Sequence, residues 1–363
     1  MRLFQNAGIY ASYIPQLRAL TRKATDFDQM QRVFLSHRFG AAHILEPVLA
    51  YDPSAFFTNG DDLPSQQQWA SENGMPKRTH ADEILLAQIE HHRADVFYNL
   101  DPMRYGSDFI RRLPGCVRKS IGWRAAPSPG ADFEAYDLML CNFPSILESY
   151  RIRGWKAAYF TPAHDPVMNS FAENEDRPID VLFVGGYTRH HRRRAELLEA
   201  VAALQGKVNV HFHLDRSRLT RLAESPIGHF LPLTRHRRPA SIQAVSKAPL
   251  FGLDLYGELS HAKIVLNGAI DMAGTDRGNM RCFEAMGCGA LMLSDAGDYP
   301  KGMADKVNML TYDNVGDAVS KIGDALQRAD EIKRIARQGF EMISTLYSKS
   351  QQWKDFQMLA DNV

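Results

Sequence analysis

The sequence predicts an α/β protein built from two doubly wound parallel sheets. Short apolar strands alternate with amphipathic helices almost throughout the 363 residues, which is the pattern of parallel βαβ units. The alternation lapses once, over residues 161–179, and restarts at Asp180. A chain of this length has room for two domains of ordinary size. We therefore expect two domains of similar size, joined near residue 170, that face a central cleft.

Six apolar runs predict the strands of the first half. They cover residues 2–5, 55–58, 96–100, 117–122, 138–141 and 157–160. Helical patterns lie between them. Residues 80–93, "HADEILLAQIEHHR", place Ile84, Leu85 and Ile89 at helical spacing. Residues 143–154 carry a proline near their start and a glycine at their end, which are the positions these two residues favour in helices.

The segment between the two halves is predicted as a linker. Residues 161–179, "TPAHDPVMNSFAENEDRPI", combine three prolines with a cluster of acids and show no period. The second half begins with the buried strand "DVLFVGG" at 180–186. The elements that follow are a helix at 189–204, a strand at 209–214, a helix at 255–262, a strand at 263–269, the stretch 278–295 and three helical segments from residue 317 onward.

Composition and charge exclude several classes of protein. The formal net charge of +1 gives no general reason for nucleic acid or an anionic membrane to bind. No apolar run approaches the roughly 20 residues that span a bilayer, and the first residues do not form a secretory signal. The four cysteines show no CxxC spacing; they are Cys116, Cys141, Cys282 and Cys288. We expect a reduced, cytoplasmic protein without disulfides or a zinc site.

The stretch 278–295, "GNMRCFEAMGCGALMLSD", predicts a helix that starts near Asn279 and leads through two glycines into a buried strand. Asn279 is expected to cap this start, where free N–H groups attract anions, and Arg281 adds a fork of donors for phosphate. Glu284 suits neither task, but a carboxylate can accept hydrogen bonds from both hydroxyls of a ribose. The stretch thus predicts a nucleotide cradle. The alternative is a helix with a surface arginine and an exposed glutamate.

The same stretch resembles the donor-binding domain of GT-B glycosyltransferases of the group-1 type. Its best match is the branch related to spore-maturation glycosyltransferase-like proteins, with the pattern N-x-R-x-F-E-A-x-G-x-G-A-x-x-L-x-D. The residues in register are Asn279, Arg281, Phe283, Glu284, Ala285, Gly287, Gly289, Ala290, Leu293 and Asp295. Residues 251–271 resemble that branch's G-x-x-x-Y-x-x-L-x-x-x-K-I-x-L-N. Weaker similarities extend over 63–74, 85–101 and 136–154, so the resemblance covers most of the chain.

The resemblance implies the GT-B fold, with two Rossmann-like domains facing a central cleft. It implies that residues 1–170 bind the acceptor, that residues 171–345 bind the nucleotide-sugar donor and that residues 346–363 form a helix that crosses back to the first domain. It also implies that helix dipoles and cations, and not a bound metal, stabilise the leaving diphosphate. No cofactor is therefore expected besides the nucleotide-diphosphate sugar, which is the donor substrate.

Three further donor contacts are predicted at the glycine turn after strand 180–186. Gly185 and Gly186 allow a diphosphate to approach backbone N–H groups closely. Arg189 is placed to neutralise that diphosphate, and its alternative is a solvated basic helix face.

Three more donor-binding candidates lie between residues 256 and 267, and each has a structural alternative. Lys263 could reach a phosphate, or it could simply be a cation favoured at a helix C-terminus. Tyr256 could stack on a base, or pack in the core. Asn267 ends a predicted strand on the cleft side.

The catalytic candidates of the second domain are acids. Many retaining members of the resembled group carry two acids eight positions apart, and Asp276 and Glu284 keep that spacing. Asp271 competes for the first position, so both retaining and inverting outcomes stay open. No metal-binding pair is predicted, because "GDD" at 60–62 has the composition of a turn.

In the first domain, Asp101 follows a strand at its carboxyl end, where a carboxylate could act as general base on an acceptor hydroxyl. Its alternative is a turn residue before Pro102. Further base candidates are His37, His43 and His164.

The predicted activity is transfer of a sugar from a nucleotide-diphosphate sugar to a hydroxyl of a glycan, lipid-linked or protein acceptor. One alternative is a nucleotide-sugar epimerase on the same fold. Another is a non-catalytic sugar-nucleotide or glycan-binding protein. The basic region 185–240 suggests peripheral membrane association, with a solvated face as its alternative. It lacks the interleaved aromatic residues expected of a nucleic-acid surface, so no nucleic-acid partner is expected.

Overall fold

The computed structural model describes residues 1–188, 191–268 and 274–363 of the chain. It contains two six-stranded sheets in which every pairing between neighbouring strands is parallel, so the predicted α/β class is confirmed. The strands are β1 (Leu3–Asn6), β2 (Ala55–Thr58), β3 (Val96–Asn99), β4 (Lys119–Trp123), β5 (Leu138–Cys141), β6 (Ala157–Tyr159), β7 (Ile179–Gly186), β8 (Val210–Asp215), β9 (Ser246–Lys247), β10 (Ala262–Asn267), β11 (Leu291–Asp295) and β12 (Leu310–Tyr312).

Helices connect nearly all successive strands, as parallel pairing requires. Within the described residues they are α1 (Ile14–Leu20), α2 (Phe27–His37), α3 (Glu46–Leu49), α4 (Leu63–Glu72), α5 (Ala81–His92), α6 (Ser107–Ile110), α7 (Pro144–Ile152), α8 (Met168–Ala172), α9 (Arg192–Ala202), α10 (Arg218–Ala223), α11 (Ala240–Val245), α12 (Gly252–Ser260), α13 (Met280–Gly287), α14 (Val315–Leu326), α15 (Ala329–Leu346) and α16 (Lys349–Asp361).

The chain divides into two compact units. Unit 1 contains Met1–Asp165 and Tyr347–Val363, and unit 2 contains Pro166–Leu346. The boundary falls inside the segment expected to be a linker. That segment is not wholly irregular, because it includes α8, whose Met168 is fully buried in the core of unit 2.

The sheet of unit 1 has the strand order β2-β1-β3-β4-β5-β6. Its inner strands β1, β3, β4 and β5 are almost wholly buried, which explains their largely apolar composition. One face packs on a core that includes Phe4, Phe97, Met139 and Tyr150. The strand order reverses between β1 and β3, because β2 is added on one side of β1 and β3 on the other. The carboxyl ends of β1 and β3 therefore flank the crevice of this sheet.

Helix α16 belongs to unit 1 although it follows all of unit 2 in the chain. Its Phe356 is fully buried, with its ring centroid 4.8 Å from that of Tyr98 on β3. Its Lys349 is 3% exposed and donates to the backbone oxygens of Ala41 at 2.6 Å and Ile44 at 2.8 Å. Apolar packing and buried hydrogen bonds together fix the helix to unit 1.

The sheet of unit 2 has the strand order β12-β11-β10-β7-β8-β9. Two cores cover its faces. One includes Val181 and Phe183 from β7 with helices α9 and α14, and the other includes Leu182 from the same strand with α8 and α12. The order corresponds to a doubly wound Rossmann sheet, with the switch point between β7 and β10.

A glycine sets the turn that leads from α13 into β11. Gly289 has φ +71°, and a Cβ there would lie 2.9 Å from the Arg177 guanidinium and 3.0 Å from the Ala172 oxygen. The same guanidinium donates to the backbone oxygen of Cys288 at 3.0 Å. Only glycine fits this backbone conformation and this close approach. The turn thereby sets the path from the end of α13 into β11.

Candidate active site at the carboxyl ends of the parallel strands

The switch point of unit 2 is the candidate donor site. Ligands of open α/β sheets bind outside the carboxyl ends of the strands, where the strand order reverses. In unit 2 these ends belong to β7, which finishes at Gly186, and β10, which finishes at Asn267. Helix α13 begins a few residues after the undescribed segment that follows β10.

The predicted glycine pair ends β7. Gly185 and Gly186 still pair with Leu214 and Asp215 of β8. A Cβ at Gly186 would meet nothing within 4 Å, so the backbone is open there, whereas one at Gly185 would come within 3.1 Å of the Phe183 ring. This open backbone is what close approach of a diphosphate requires. Arg189, predicted beside it, lies outside the described residues.

Asn267 organises the strand ends instead of facing solvent, since it is 6% exposed. Its side-chain amide donates to Ser294 Oγ at 3.1 Å, and its side-chain oxygen accepts from Asn279 Nδ2 at 3.1 Å. Its backbone oxygen accepts from the Tyr312 hydroxyl at 2.9 Å. This network joins β10, β11, β12 and the start of α13. Asn267 therefore positions the site.

Asn279 is the N-cap residue of α13, as predicted, but its side chain does not cap the helix. Its side-chain amide donates to the side-chain oxygen of Asn267, twelve residues earlier in the chain. The prediction of a capping side chain is wrong, because the Asn279 side-chain oxygen, which a cap would use as acceptor, accepts instead from the Cys282 thiol at 3.5 Å. The N–H groups of the first turn are left without a cap from Asn279, and such groups bind anions.

Arg281 and Glu284 form an ion pair within α13. Arg281 NH1 lies 2.6 Å from Glu284 Oε2, and their side chains are 15% and 3% exposed. Burial raises the pKa of the Glu284 carboxyl, and the neighbouring Arg281 charge partly opposes this. The Nε of Arg281 is buried and has no hydrogen-bond partner within the described part of the chain.

Glu284 is therefore neither the exposed glutamate of the alternative nor a carboxylate without a partner in the fold. The i, i+3 spacing on a helix brings the two side chains together, and the sheet buries the acid. Arg281 keeps one donor unused, while another is engaged by the carboxylate.

Asp276 lies in a segment that is hydrogen-bonded to the chain after β11. It is 5% exposed and forms an isolated parallel bridge with Asp298. Next to it, Arg277 is ion-paired with Asp295 at 2.6 Å. Arg277 was not predicted; the signal available was an acid at the end of a buried strand, which invites a nearby cation. Asp271, the competing candidate, lies outside the described residues.

Two predicted donor contacts lie apart from this group. Lys263 is the second residue of β10 and pairs with Asp180 Oδ1 at 2.6 Å, also at the amino end of the sheet. At about 3.3 Å per residue, it is about 13 Å from Asn267 along the strand. Tyr256 is 1% exposed in the core, with its ring in edge contact with Phe171. The structure does not bring either residue to the carboxyl ends.

In unit 1, Asp101 lies at the switch point, two residues after β3 ends. Its carboxylate is 3.2 Å from Arg104 Nε, and a Cβ at Gly8 would come within 3.0 Å of it. Asn6 and Asn99, the last residues of β1 and β3, share a hydrogen bond of 2.9 Å. The acid thus stands over the crevice where the first unit would hold a ligand.

Asp61 is a neighbour of Asp101 that sequence reasoning missed. The side chain is 9% exposed, accepts from the Ile9 N–H at 3.1 Å and lies 3.9 Å from Arg104. Burial raises the pKa of Asp61, and the charge of Asp101 adds to the effect. The "GDD" segment is a turn, as predicted, but its acids are engaged inside unit 1, and Asp62 pairs with Arg18.

The three histidines predicted as possible general bases are buried or hydrogen-bonded within unit 1. His37 Nδ1 is 2.9 Å from the Tyr13 hydroxyl, and His164 is 3% exposed. Burial, aided by the Lys349 charge, lowers the pKa of His43 to about 3. Among the described residues, no three metal-ligating side chains form a group that could hold a metal ion. In the same residues, no helix is both long and apolar enough to cross a membrane.

Comparison with known proteins gives one family match. Residues 189–357 match the family model described as glycosyl transferase-like. No protein with a curated description matches the sequence.

Solved structures match most or all of the chain at low identity. HepE from Anabaena, in complex with UDP and glucose, has 11% identity and a TM-score of 0.60, with 100% of each chain covered. Sucrose-phosphate synthase from Thermosynechococcus elongatus has 11% identity and a TM-score of 0.51, covering 99% of this chain and 98% of that one. TarM from S. aureus, in a complex that includes UDP, has 11% identity and a TM-score of 0.53, covering 77% and 59%.

These neighbours share the two-sheet GT-B architecture, so the predicted GT-B fold is confirmed. The family match covers most of unit 2, including α13 and the strand ends around it. Neither the epimerase nor the non-catalytic alternative is favoured by these matches. The match spans residues 189–357, just under half of the chain, and together with the GT-B fold it supports a glycosyltransferase activity.

Proposed function

We propose that this glycosyltransferase takes its sugar from a nucleoside diphosphate sugar held at the carboxyl ends of β7 and β10. The carrying observation is the strand order of unit 2, which puts the open backbone at Gly186 on the same sheet edge as the strand ends that hold the start of α13. An open strand end and a helix N-terminus are what a diphosphate needs.

In this proposal the diphosphate lies over Gly185 and Gly186 and against the first turn of α13, near Asn279. Arg281 supplies charge to it, because its unused Nε–H and its fork geometry suit phosphate oxygens. Arg189 is retained as a further cation. The buried Glu284 accepts hydrogen bonds from the ribose hydroxyls.

Donor binding then reorganises the pair inside α13. The phosphates attract Arg281, and the two ribose hydroxyls give Glu284 new donors. The Glu284 carboxylate then accepts from the ribose hydroxyls, while the Arg281 guanidinium donates to the phosphate oxygens. Lys263 and Tyr256, predicted as donor contacts, have no part in this arrangement because of their positions.

Transfer is proposed to a hydroxyl of a glycan, lipid-linked or protein acceptor bound by unit 1, which is residues 1–170 in the sequence prediction. Asp101 is the proposed general base, at the switch point of its sheet. Asp276 and Glu284 keep the two-acid spacing of retaining enzymes and are the proposed acids beside the donor. The leaving diphosphate is stabilised by the helix start and Arg281, without a metal ion.

The finer assignments are also proposals. The branch related to spore-maturation glycosyltransferase-like proteins is supported by the motif from Asn279 to Asp295. A cytoplasmic enzyme at the inner face of a membrane fits the basic region 185–240. UDP and UDP-glucose are the first ligands to try, since complexes of HepE contain them.

The test is titration calorimetry with UDP and with uridine. Glu284→Gln should weaken binding of both ligands about ten- to a hundredfold, because a hydrogen bond to a charged group is worth roughly 1.5–3 kcal/mol. Arg281→Met should weaken UDP far more than uridine. Lys263→Met, at the other end of β10, is the matched control and should bind like the parent. Unchanged UDP binding by Glu284→Gln would rule out the ribose assignment.

Metal independence has its own readout. Release of UDP from UDP-glucose in the presence of an acceptor should continue after treatment with EDTA. Complete loss of turnover that Mg²⁺ or Mn²⁺ restores would contradict the proposed role of α13 and Arg281 in stabilising the leaving group.

A further inference from the structure

The chain between β8 and α11, residues 216–239, differs in character from the rest of unit 2. It contains six arginines and one acid, Glu224, for a formal charge of +5. It forms the short helix α10 and two 3₁₀ turns, Ile227–Phe230 and Thr234–His236. We name it the basic segment. None of the residues assigned to donor or acceptor binding lies in it.

Buried contacts hold the basic segment in a defined shape. Arg238, 6% exposed, forms a two-point pair with Glu224 at 2.6 and 2.9 Å and also donates to Ser246 Oγ at 3.0 Å. Arg237 donates to the backbone oxygens of Ala223 and Gly228 at 3.0 and 2.9 Å. Glu224, the single acid of the segment, is thereby paired internally with Arg238 and also with Arg216 at 3.6 Å.

The outer surface of the segment is apolar as well as basic. The most exposed side chains are Phe230 at 90% and Ile227 at 71%. Leu219 and Leu222, one turn apart on α10, are 47% and 43% exposed. Single exposed apolar residues are ordinary on protein surfaces, but a group of this size within twelve residues is the kind that marks an interaction site.

Unpaired arginines lie next to these apolar side chains. Arg218 and Arg221 are exposed on α10 and form no ion pair within the described part of the chain. They alternate along the helix with Leu219 and Leu222. Cations placed beside apolar side chains match the interface of an anionic bilayer, where phosphates lie just above acyl chains.

We propose that the basic segment docks this enzyme on the surface of an anionic phospholipid bilayer. Ile227 and Phe230 enter the region between headgroups and acyl chains, and Arg218, Arg221 and Arg235 bind lipid phosphates. A bilayer fits better than nucleic acid, because Phe230 is the only aromatic residue of the segment and cannot supply a row of stacking platforms. The proposal stands on this surface and not on the donor assignment.

The test is sedimentation of the intact chain with vesicles of phosphatidylcholine alone or mixed with phosphatidylglycerol. The parent should bind the anionic vesicles only. Ile227→Ser with Phe230→Ser should weaken that binding at least about tenfold, since each apolar side chain loses its burial. The matched control is Ile152→Ser, in unit 1, whose side chain is 78% exposed. It should bind like the parent.

A second pair of variants tests the charges. Arg218→Ser with Arg221→Ser should weaken binding by about fivefold per arginine at low salt, and the loss should shrink at high salt. Arg22→Ser with Arg78→Ser removes two exposed arginines from unit 1 and should leave binding unchanged.

Three results would overturn the proposal. The parent could stay in solution with anionic vesicles, or the Ile227→Ser and Phe230→Ser variant could sediment as the parent does. Light scattering could instead show that the same variant turns a dimer into a monomer, which would make the surface a contact between two copies. All the substituted side chains are exposed, so the free energy of unfolding should stay at the parent's value in each variant.

Discussion

At the scale of single residues, Arg281 and Glu284 form a buried ion pair inside α13. The carboxylate is 3% exposed and would be costly without its 2.6 Å partner. The same guanidinium retains a buried N–H with no acceptor in the described structure. The pair therefore contributes to the stability of unit 2 while one N–H of Arg281 is left without a protein acceptor in the described residues.

This arrangement makes a stability prediction. Arg281→Met should lower the free energy of unfolding by about 3 kcal/mol at pH 8, because it leaves a buried carboxylate unpaired. Glu284→Gln should cost less, since the amide oxygen still accepts from Arg281. The variant with both changes should lose less than the sum of the two. Urea denaturation of the four proteins measures this, and additive losses would contradict a coupled pair.

The pH dependence follows from the raised pKa of Glu284. An acid whose pKa is higher in the folded state stabilises the fold below its unfolded pKa, and that stabilisation disappears as pH rises through the folded pKa. Loss of Arg281 should raise the folded pKa further. The deficit of Arg281→Met relative to the parent should therefore shrink between pH 8 and pH 5.

At the scale of elements, helix α16 depends on an amine enclosed by backbone oxygens. Burial lowers the pKa of Lys349 to about 7, with opposing contributions from Asp165 and Arg38. The amine donates to Ala41, Ala42 and Ile44 and to the Gln352 side chain. It ties the helix to the loop that precedes α3.

Lys349→Met should lower the free energy of unfolding of unit 1 by about 2–4 kcal/mol at pH 9, because several buried oxygens lose their donor. The parent's unfolded state keeps the proton up to about pH 10.5, while the folded state releases it near pH 7. The free energy of unfolding of the parent should therefore increase as the pH rises from about 7 to about 10.5, and that of the variant should not. Lys354→Met, exposed on the same helix, is the control. Equal pH slopes in parent and variant would contradict the assignment.

Elements were predictable where the local pattern was strong. The strands of unit 1 were found within a few residues because most of them are short apolar runs that are largely buried. Strand β9, only Ser246–Lys247, carries too few residues for any period, and α8 was hidden by three prolines around it. Short elements of this kind are stabilised by neighbours distant in the chain.

In the candidate site, too, some features were predictable from the local sequence and others depended on the tertiary structure. The helix start at Asn279 and the strand end at Asn267 follow from local patterns. The use of Asn279 on Asn267, and the pairing of Arg277 with Asp295, depend on which strands lie side by side. The fit of Tyr256 into the core and the place of Lys263 at the amino end of β10 also depend on the tertiary structure.

On the scale of the whole molecule, the two units differ in continuity. Unit 2 is one stretch, Pro166–Leu346, whereas unit 1 needs both ends of the chain. Residues 166–346 expressed alone should unfold cooperatively and bind UDP, because their sheet and both of its cores are complete. Residues 1–165 alone should lack a sharp thermal transition, and added peptide 347–363 should restore it. The same peptide with Lys349→Met should restore it poorly.

Circular dichroism of the two fragments, with and without the peptide, checks this. A sharp transition of residues 1–165 without the peptide would show that α16 is dispensable for unit 1. Failure of residues 166–346 to fold would show that unit 2 needs unit 1.

The place of α16 after unit 2 has a consequence for synthesis on the ribosome. The first 165 residues emerge early but wait for the helix that completes their core until all of unit 2 has been translated. At roughly 5–20 residues per second, that wait lasts on the order of ten seconds or more. During it the pocket for Phe356 beside Tyr98 is open, which is a binding opportunity for chaperones. Unit 2 can therefore fold before the helix that completes the core of unit 1 has been made.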